Sequence, residues 1–202
     1  MLFRSEKREY LLAYGFSGEL LAALAAVTRK NNVGLQLVGD DGLDLLVEDL
    51  LLEDGTAFSY DVPLDSSYEL GLEHLLFVNF SQDSLMNFID RLKADGISVP
   101  YKAALTEHNR KWLLRDLIEA NRKEHLFVQL YHASKNALNV AVKVYDESKD
   151  IPLLDAMGKL QQQIEAVEKE GEMTEDQEAE RFEKLRLNYN ELAARLNTLM
   201  SE

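Results

Sequence analysis

The stretch LLAYGFSGELLAAL, Leu11 to Leu24, lies without a gap over LLFVNFSQDSLMNF, Leu75 to Phe88, and that alignment decides the fold. The offset is 64 residues, with Leu on Leu, Phe16 on Phe80, Ser17 on Ser81, Glu19 on Asp83 and Leu21 on Leu85. The match runs on through Arg29 and Lys93 to Val33 and Ile97. It reappears after three extra residues, where EDLL at Glu48 to Leu51 meets RDLI at Arg115 to Ile118.

Each copy reads as the same series of elements. An apolar run, YLLAYGF or HLLFVNF, predicts a strand. Ser17 or Ser81 follows at an N-cap position with an acid in the first turn, where the helix dipole favours negative charge. Leu20, Leu21, Leu24 and Val27 in one copy recur at helical spacing, as do Leu85, Phe88, Ile89 and Leu92 in the other. RKNN and KADG stop these helices, and VGLQLVG and ISVPYKAAL supply second strands, the latter marked by Pro100 as an edge strand or one that stops pairing early. A second helix closes each unit, at Leu43 to Glu53 and from Asn109 onward. The expectation is an α/β fold, an internally duplicated β-α-β-α core whose halves pair into one small sheet, since neither half has enough strands alone.

On this reading residues 1–55 form the first repeat, 56–73 a linker with one short strand around Ala57 to Val62, and 74–125 the second repeat. Residues 126–149 are a helical extension: Phe127, Tyr131, Ser134, Leu138, Ala141 and Tyr145 stand three or four apart. Val140, Val142 and Val144 alternate as in a strand, so helix and strand compete over 138–146. Residues 150–202 read as an antiparallel helical hairpin of coiled-coil type. Pro152 opens its first helix, along which Leu153, Met157, Leu160, Ile164 and Val167 recur, and Gly171 interrupts it. TEDQ at Thr174 to Gln177 is a capping box, after which Phe182, Leu185, Tyr189, Leu192, Leu196 and Leu199 repeat at heptad spacing as an interaction surface.

Composition limits what such a fold can do. With 46% hydrophobic and 29% charged residues the chain is globular in type, and no window offers the roughly 20 apolar residues of a membrane span. MLFRSEKREY lacks an apolar signal core, so a cytoplasmic protein is expected. The absence of cysteine excludes disulfides, thiolate catalysis and Cys-ligated zinc. A net charge of −14 repels phosphate backbones and anionic lipid, which argues against nucleic acid and membrane as partners.

No pattern reaches a catalytic or cofactor signature. GFSG at Gly15 to Gly18 sits where phosphate loops occur, yet its counterpart NFSQ keeps only the Phe and Ser, as a turn plus N-cap would. Asp40, Asp41 and Asp44 could face a hard cation, although Asp with Gly equally makes a turn. His125 and His132 lack a third strong ligand. Neither a metal, a cofactor nor a catalytic residue is therefore expected. The best candidate for a ligand site is ALTEHNRKWLLRDLIEANRKEH, Ala104 to His125, which holds the chain's one tryptophan. There Thr106 and Asn109 are alternative N-caps, and a helix from Asn109 places Leu113, Leu117, Ala120 and Glu124 on one face. A carboxylate on an apolar face makes Glu124 a candidate functional acid, beside Trp112, a basic face of Lys111, Arg115 and Arg122, and His125.

The same segment resembles a bacterial domain of unknown function, family 3783. The residues that carry the resemblance are Phe80, Asp83, Gly96, Ile97, Val99, Pro100, Lys102, Ala103, Leu105, Thr106, Asn109, Trp112, Leu117, Glu124 and His125, with departures at Leu113 and Ala120. The resemblance implies a bacterial, cytoplasmic origin and a fold unit, without a reaction. Together these features favour a non-enzymatic interaction or regulatory protein that uses its helical tail to bind a protein partner, the hairpin either docking on the long helix that follows Trp112 or pairing with a second copy of itself as a homodimer. The alternative is a small-ligand or metal-binding, enzyme-like core around Glu124, Trp112 and the basic face.

Overall fold

The computed structural model describes residues 8–52, 68–169 and 174–201, and the short strand expected near Ala57 to Val62 lies outside them, as does Gly171. Two units are resolved, residues 1–123 and 124–202. The first is mixed α/β and the second is helical.

In the first unit, β1 (Tyr10–Tyr14), α1 (Gly18–Lys30) and β2 (Gly34–Val38) are followed by a 3-10 turn at Asp40–Gly42 and a single turn of helix, α2 (Val47–Leu50). Then come β3 (His74–Val78), α3 (Gln82–Ala94), β4 (Tyr101–Ala104), a 3-10 turn at Asn109–Lys111 and α4 (Leu114–Ser148), whose residues up to Lys123 belong to this unit. The sheet order is β2-β1-β3-β4. β2 runs parallel to β1, β4 parallel to β3, and the two central strands are antiparallel with Leu12 opposite Leu76. Pro100 thus immediately precedes an edge strand, where a missing backbone N–H is tolerated.

β1 and β3 are buried along their whole length because both faces of the sheet are covered. Odd positions such as Leu11, Ala13, Leu75 and Phe77 face one core with Leu21 and Leu24 of α1 and Phe88 and Leu92 of α3. Even positions such as Leu12, Tyr14, Leu76 and Val78 face a second core with Val47, Leu114, Leu117 and Ile118. Local signals set the turns. Ser81 accepts the Ser84 N–H at 3.1 Å, whereas Ser17 occupies the same N-cap position of α1 without a side-chain bond. Gly15 and Asn79, each one residue past its strand, take left-handed φ of 83° and 64°, and Asn32 and Gly96 do so after the helices at 55° and 77°.

Two helix boundaries differ from the sequence reading. The helix expected over Leu43 to Glu53 is only α2, preceded by the Asp40–Gly42 turn. The helix expected from Asn109 starts five residues later, at Leu114. Both differences have one cause. Leu46 and Leu113 are extended and bridge antiparallel to each other, with the Val47 N–H bonded to the Trp112 carbonyl at 2.9 Å and the Leu114 N–H to the Leu45 carbonyl at 3.0 Å. A long-range backbone pairing has taken residues that local periodicity would place in helices.

In the second unit α4 continues as helix through 138–146, and the strand-like alternation of its valines is overridden. α5 (Ile151–Glu168) is capped by Asp150, which accepts the Leu153 N–H at 2.7 Å, and has Pro152 in its first turn. α6 (Glu175–Met200) opens on the reciprocal Thr174 and Gln177 capping box. The pairs Asp150 with Arg195, Lys159 with Glu191, and the Ala166 carbonyl with Arg181 ascend one helix as they descend the other, so α5 and α6 are antiparallel. Their buried stripes, Leu153, Ala156, Leu160 and Ile164 against Leu185, Leu192 and Leu196, close with Ala141 and the half-buried Phe127, Tyr131 and Leu138 of α4 into one core. No helix is long and apolar enough to cross a membrane among the described residues.

Candidate functional site

The segment that sequence singles out turns into the pivot of the sheet's second face. Thr106 and Asn109 bond reciprocally: the Asn109 side-chain oxygen accepts the Thr106 N–H at 2.8 Å and the Thr106 hydroxyl accepts the Asn109 N–H at 3.1 Å. The Asn109 amide also donates to the Ala104 carbonyl at 2.9 Å, tying the end of β4 to the turn. Trp112 is half-buried against the second core with His108 edge-on at 5.1 Å, and its carbonyl holds Val47.

The basic residues do not converge on an open point. Arg115 grips Asp44 at 3.1 Å and Glu69 at 2.7 Å, and these carboxylates hold its guanidinium well above its ordinary pKa. Arg122 meets Glu119 at 3.4 Å on its own helix, and Lys111 is exposed. α4 begins at Leu114, its buried face is Leu114, Leu117 and Ile118, followed by half-buried Asn121, and Glu124 is exposed to water. The apolar setting expected around that carboxylate is therefore absent. His125 contacts Gln129 at 2.8 Å one turn on.

Two acids of the VGDDGLD turn, Asp40 and Asp44, are committed in the same way. Asp40 accepts the Tyr14 hydroxyl at 2.6 Å and the Glu69 N–H at 3.0 Å, and Asp44 belongs to Arg115. Burial, helped by Asp40, pushes the Tyr14 phenol up to about 12, so it remains a donor throughout the neutral range. Among the described residues no cluster of His, Asp and Glu could hold a metal ion. Gly15 is a close approach rather than a phosphate cradle: a Cβ there would lie 1.9 Å from the Leu72 carbonyl oxygen.

Sequence reasoning passed over His74. It is fully buried on β3, in register with Tyr14 and Tyr101, and neither ring nitrogen has a partner in hydrogen-bond geometry. Burial pushes its pKa down to about 4, opposed by the nearby Asn121 amide, so the ring is neutral at pH 7. The signal was present in the alignment, where His74 stands at the position of Tyr10. In the second unit an open groove of about 310 Å³ lies between α5 and α6, lined by Pro152, Ala156, Glu191, Ala194, Arg195 and Thr198, and Arg195 is already engaged with Asp150.

The expected interaction stripe is drawn inward. Leu185, Leu192 and Leu196 are buried, and Phe182, Tyr189 and Leu199 are packed in the same helical unit, with the Phe182 ring 6.4 Å from Phe127. No curated protein and no solved structure matches the chain. A family model does match part of it, from the residue before β3 to the fifteenth residue of α4: residues 73–128 are similar to the family described as Domain of unknown function (DUF3783).

Proposed function

We propose that the protein is a non-enzymatic interaction module that meets a protein partner through its helical unit. The observation that carries this reading is that α4 leaves Leu126 and Val140 on one flank of its buried stripe, and Val128 and Val142 on the other, each more than two-fifths exposed. Exposed apolar side chains gathered on one helix mark a binding face more often than a catalytic one. The rival reading, a ligand-binding core at Glu124 and Trp112, is weakened because Thr106, Asn109 and Arg115 are engaged in holding the fold and Glu124 has no apolar pocket. A thermal-shift screen of metabolites and divalent metals tests it. No single ligand should raise the melting temperature, and a large stabilisation that Glu124→Ala removes without loss of fold would transfer the function to the rival site.

We also infer that residues 10–50 and 74–118 are two copies of one unit and that α5 and α6 pack as a short coiled coil. For the duplication, β1 and β3 begin 64 residues apart, as do α1 and α3, the left-handed pair Gly15 and Asn79, and the left-handed pair Asn32 and Gly96. Both antiparallel pairings support it too, since Leu12 faces its own counterpart Leu76 and Leu46 faces Leu113, its counterpart once the three extra residues are included. Pairing of counterparts is what a local two-fold axis requires.

A further inference from the structure

We infer that the surface of α4 from Leu126 to Val144 binds a second copy of the same chain, helix against antiparallel helix. This rests on the interaction reading above and names its partner. Two heptad rows run side by side along α4. Phe127, Tyr131, Ser134, Leu138, Ala141 and Tyr145 turn toward α5 and α6. The row one residue earlier, Leu126, Leu130, Ala133, Ala137, Val140 and Val144, repeats at the same four-three spacing. Leu130, Ala137 and Val144 are half-covered by the unit's own core, whereas Leu126 and Val140 are each 42% exposed.

Charge selects the occupant. Residues 126–145 contain no Asp or Glu, although 36 such residues spread evenly over 202 would place between three and four there. A chain of net charge −14 repels its own copies over much of its surface, and on an acid-free helix whose charged residues are Lys135 and Lys143 that repulsion is relieved. The row also fits itself. With two α4 helices antiparallel, Leu126 meets Val144, Leu130 meets Val140 and Ala133 meets Ala137. Each outer layer then combines one Leu with one Val, and the small central layers let the helix axes approach to about 8 Å, the near end of ordinary helix packing. The helix dipoles oppose, which favours this direction over a parallel pairing. The contact is isologous and closes as a dimer.

Sedimentation of the full chain, with the far-UV spectrum and melting temperature read alongside, tests the proposal. The chain should sediment as a dimer. Val140→Glu, which puts an acid on the row at an already exposed position, should give a folded monomer, and Val142→Glu, on the opposite flank of α4, should remain dimeric. Because the chain has no cysteine, Ala133→Cys and Ala137→Cys report the alignment directly: a mixture of the two should form disulfides faster than either alone. Fastest self-linking of Ala133→Cys means a parallel pair and overturns the alignment. A dimer that survives Val140→Glu overturns the surface. A wild-type monomer at every concentration overturns the second copy as occupant, while the interaction reading stands or falls by the ligand screen.

Discussion

The two halves of the sheet, residues 10–50 and 74–118, use one plan and hold it by different means. After β1 the chain reverses at Gly15, jammed against the Leu72 carbonyl; after β3 it reverses at Asn79, whose amide donates to the Arg8 carbonyl at 3.0 Å. At the first residue of the strand, Tyr10 accepts the Leu52 N–H through its hydroxyl, whereas His74 has no such bond. After the bridged residue, α2 stops within one turn and α4 continues for 35 residues. A shared backbone path thus tolerates different chemistry at each corner, provided that each corner has its own anchor.

The reversals should show the largest difference. Gly15→Ala forces a Cβ onto a backbone oxygen and demands a left-handed residue, so we expect a loss of about 3 kcal/mol or more. Asn79→Ala changes only the left-handed preference and one exposed hydrogen bond, and should cost about 1 kcal/mol. Urea unfolding of both variants measures the gap. Equal losses would mean that the two turns are held alike.

The strand-start residues come next. His74 titrates near pH 4 when folded and near its ordinary 6.5 when unfolded, so the unfolded chain binds more protons between those values. Its neutral state supports the fold fully at pH 7 and above, and that support is lost as the pH falls from about 6.5 to 4, by about 3 kcal/mol at the lower end. Comparing unfolding free energies of wild type and His74→Leu across this window cancels most of the carboxylate background. Leu at this site should flatten the profile and cost little at pH 7, because no hydrogen bond is sacrificed. Tyr10→Phe should leave the acid slope as in wild type, since burial raises the Tyr10 phenol further above this range.

The turn after β4 gives a smaller effect. Asn109→Ala removes the two hydrogen bonds of its side-chain amide at an exposed loop, for an expected loss of about 1 to 2 kcal/mol by chemical denaturation. The first half has no equivalent amide and relies instead on Asp40 with Tyr14 and Glu69. A loss under about 0.5 kcal/mol, the usual range of neutral surface changes, would show that Trp112 and the Leu46 bridge hold this turn alone.

Strands, α1, α3, the capped α5 and α6, and the edge position marked by Pro100 were legible because each is set by local periodicity or by a neighbour in sequence. What escaped was long-range. The Leu46 and Leu113 bridge joins residues 67 apart, and no local pattern announces it, yet it moves the start of α4 by five residues. The partners of the candidate ligand residues were hidden for a related reason. A polar cluster in sequence looks the same whether its members point at a ligand or at one another, and here Thr106 and Asn109 bond each other while Arg115 reaches back to Asp44 and Glu69. For the apolar row on the tail, sequence left two outcomes open, docking on the long helix after Trp112 and pairing with a second copy, and the row packs in one core with α4 and α5.

The smallest effect concerns the residues that end α1 and α3, and it bears most directly on whether the halves are equivalent. Gly96 has φ of 77° and open space around its Cβ direction, so a side chain there pays only for the left-handed backbone. Asn32 already makes that conformation with a side chain, at φ 55°, and its side-chain amide oxygen accepts from the Arg8 guanidinium at 3.0 Å. Asn is the non-glycine residue best suited to this region because its short amide can satisfy nearby backbone. Gly96→Ala should therefore cost about 1 kcal/mol and Gly96→Asn roughly half of that or less. Thermal unfolding of the two variants in parallel resolves the order. If Asn at 96 is as costly as Ala, the corner at Gly96 differs from the one at Asn32 in more than its side chain, and the inferred two-fold does not extend to the helix ends.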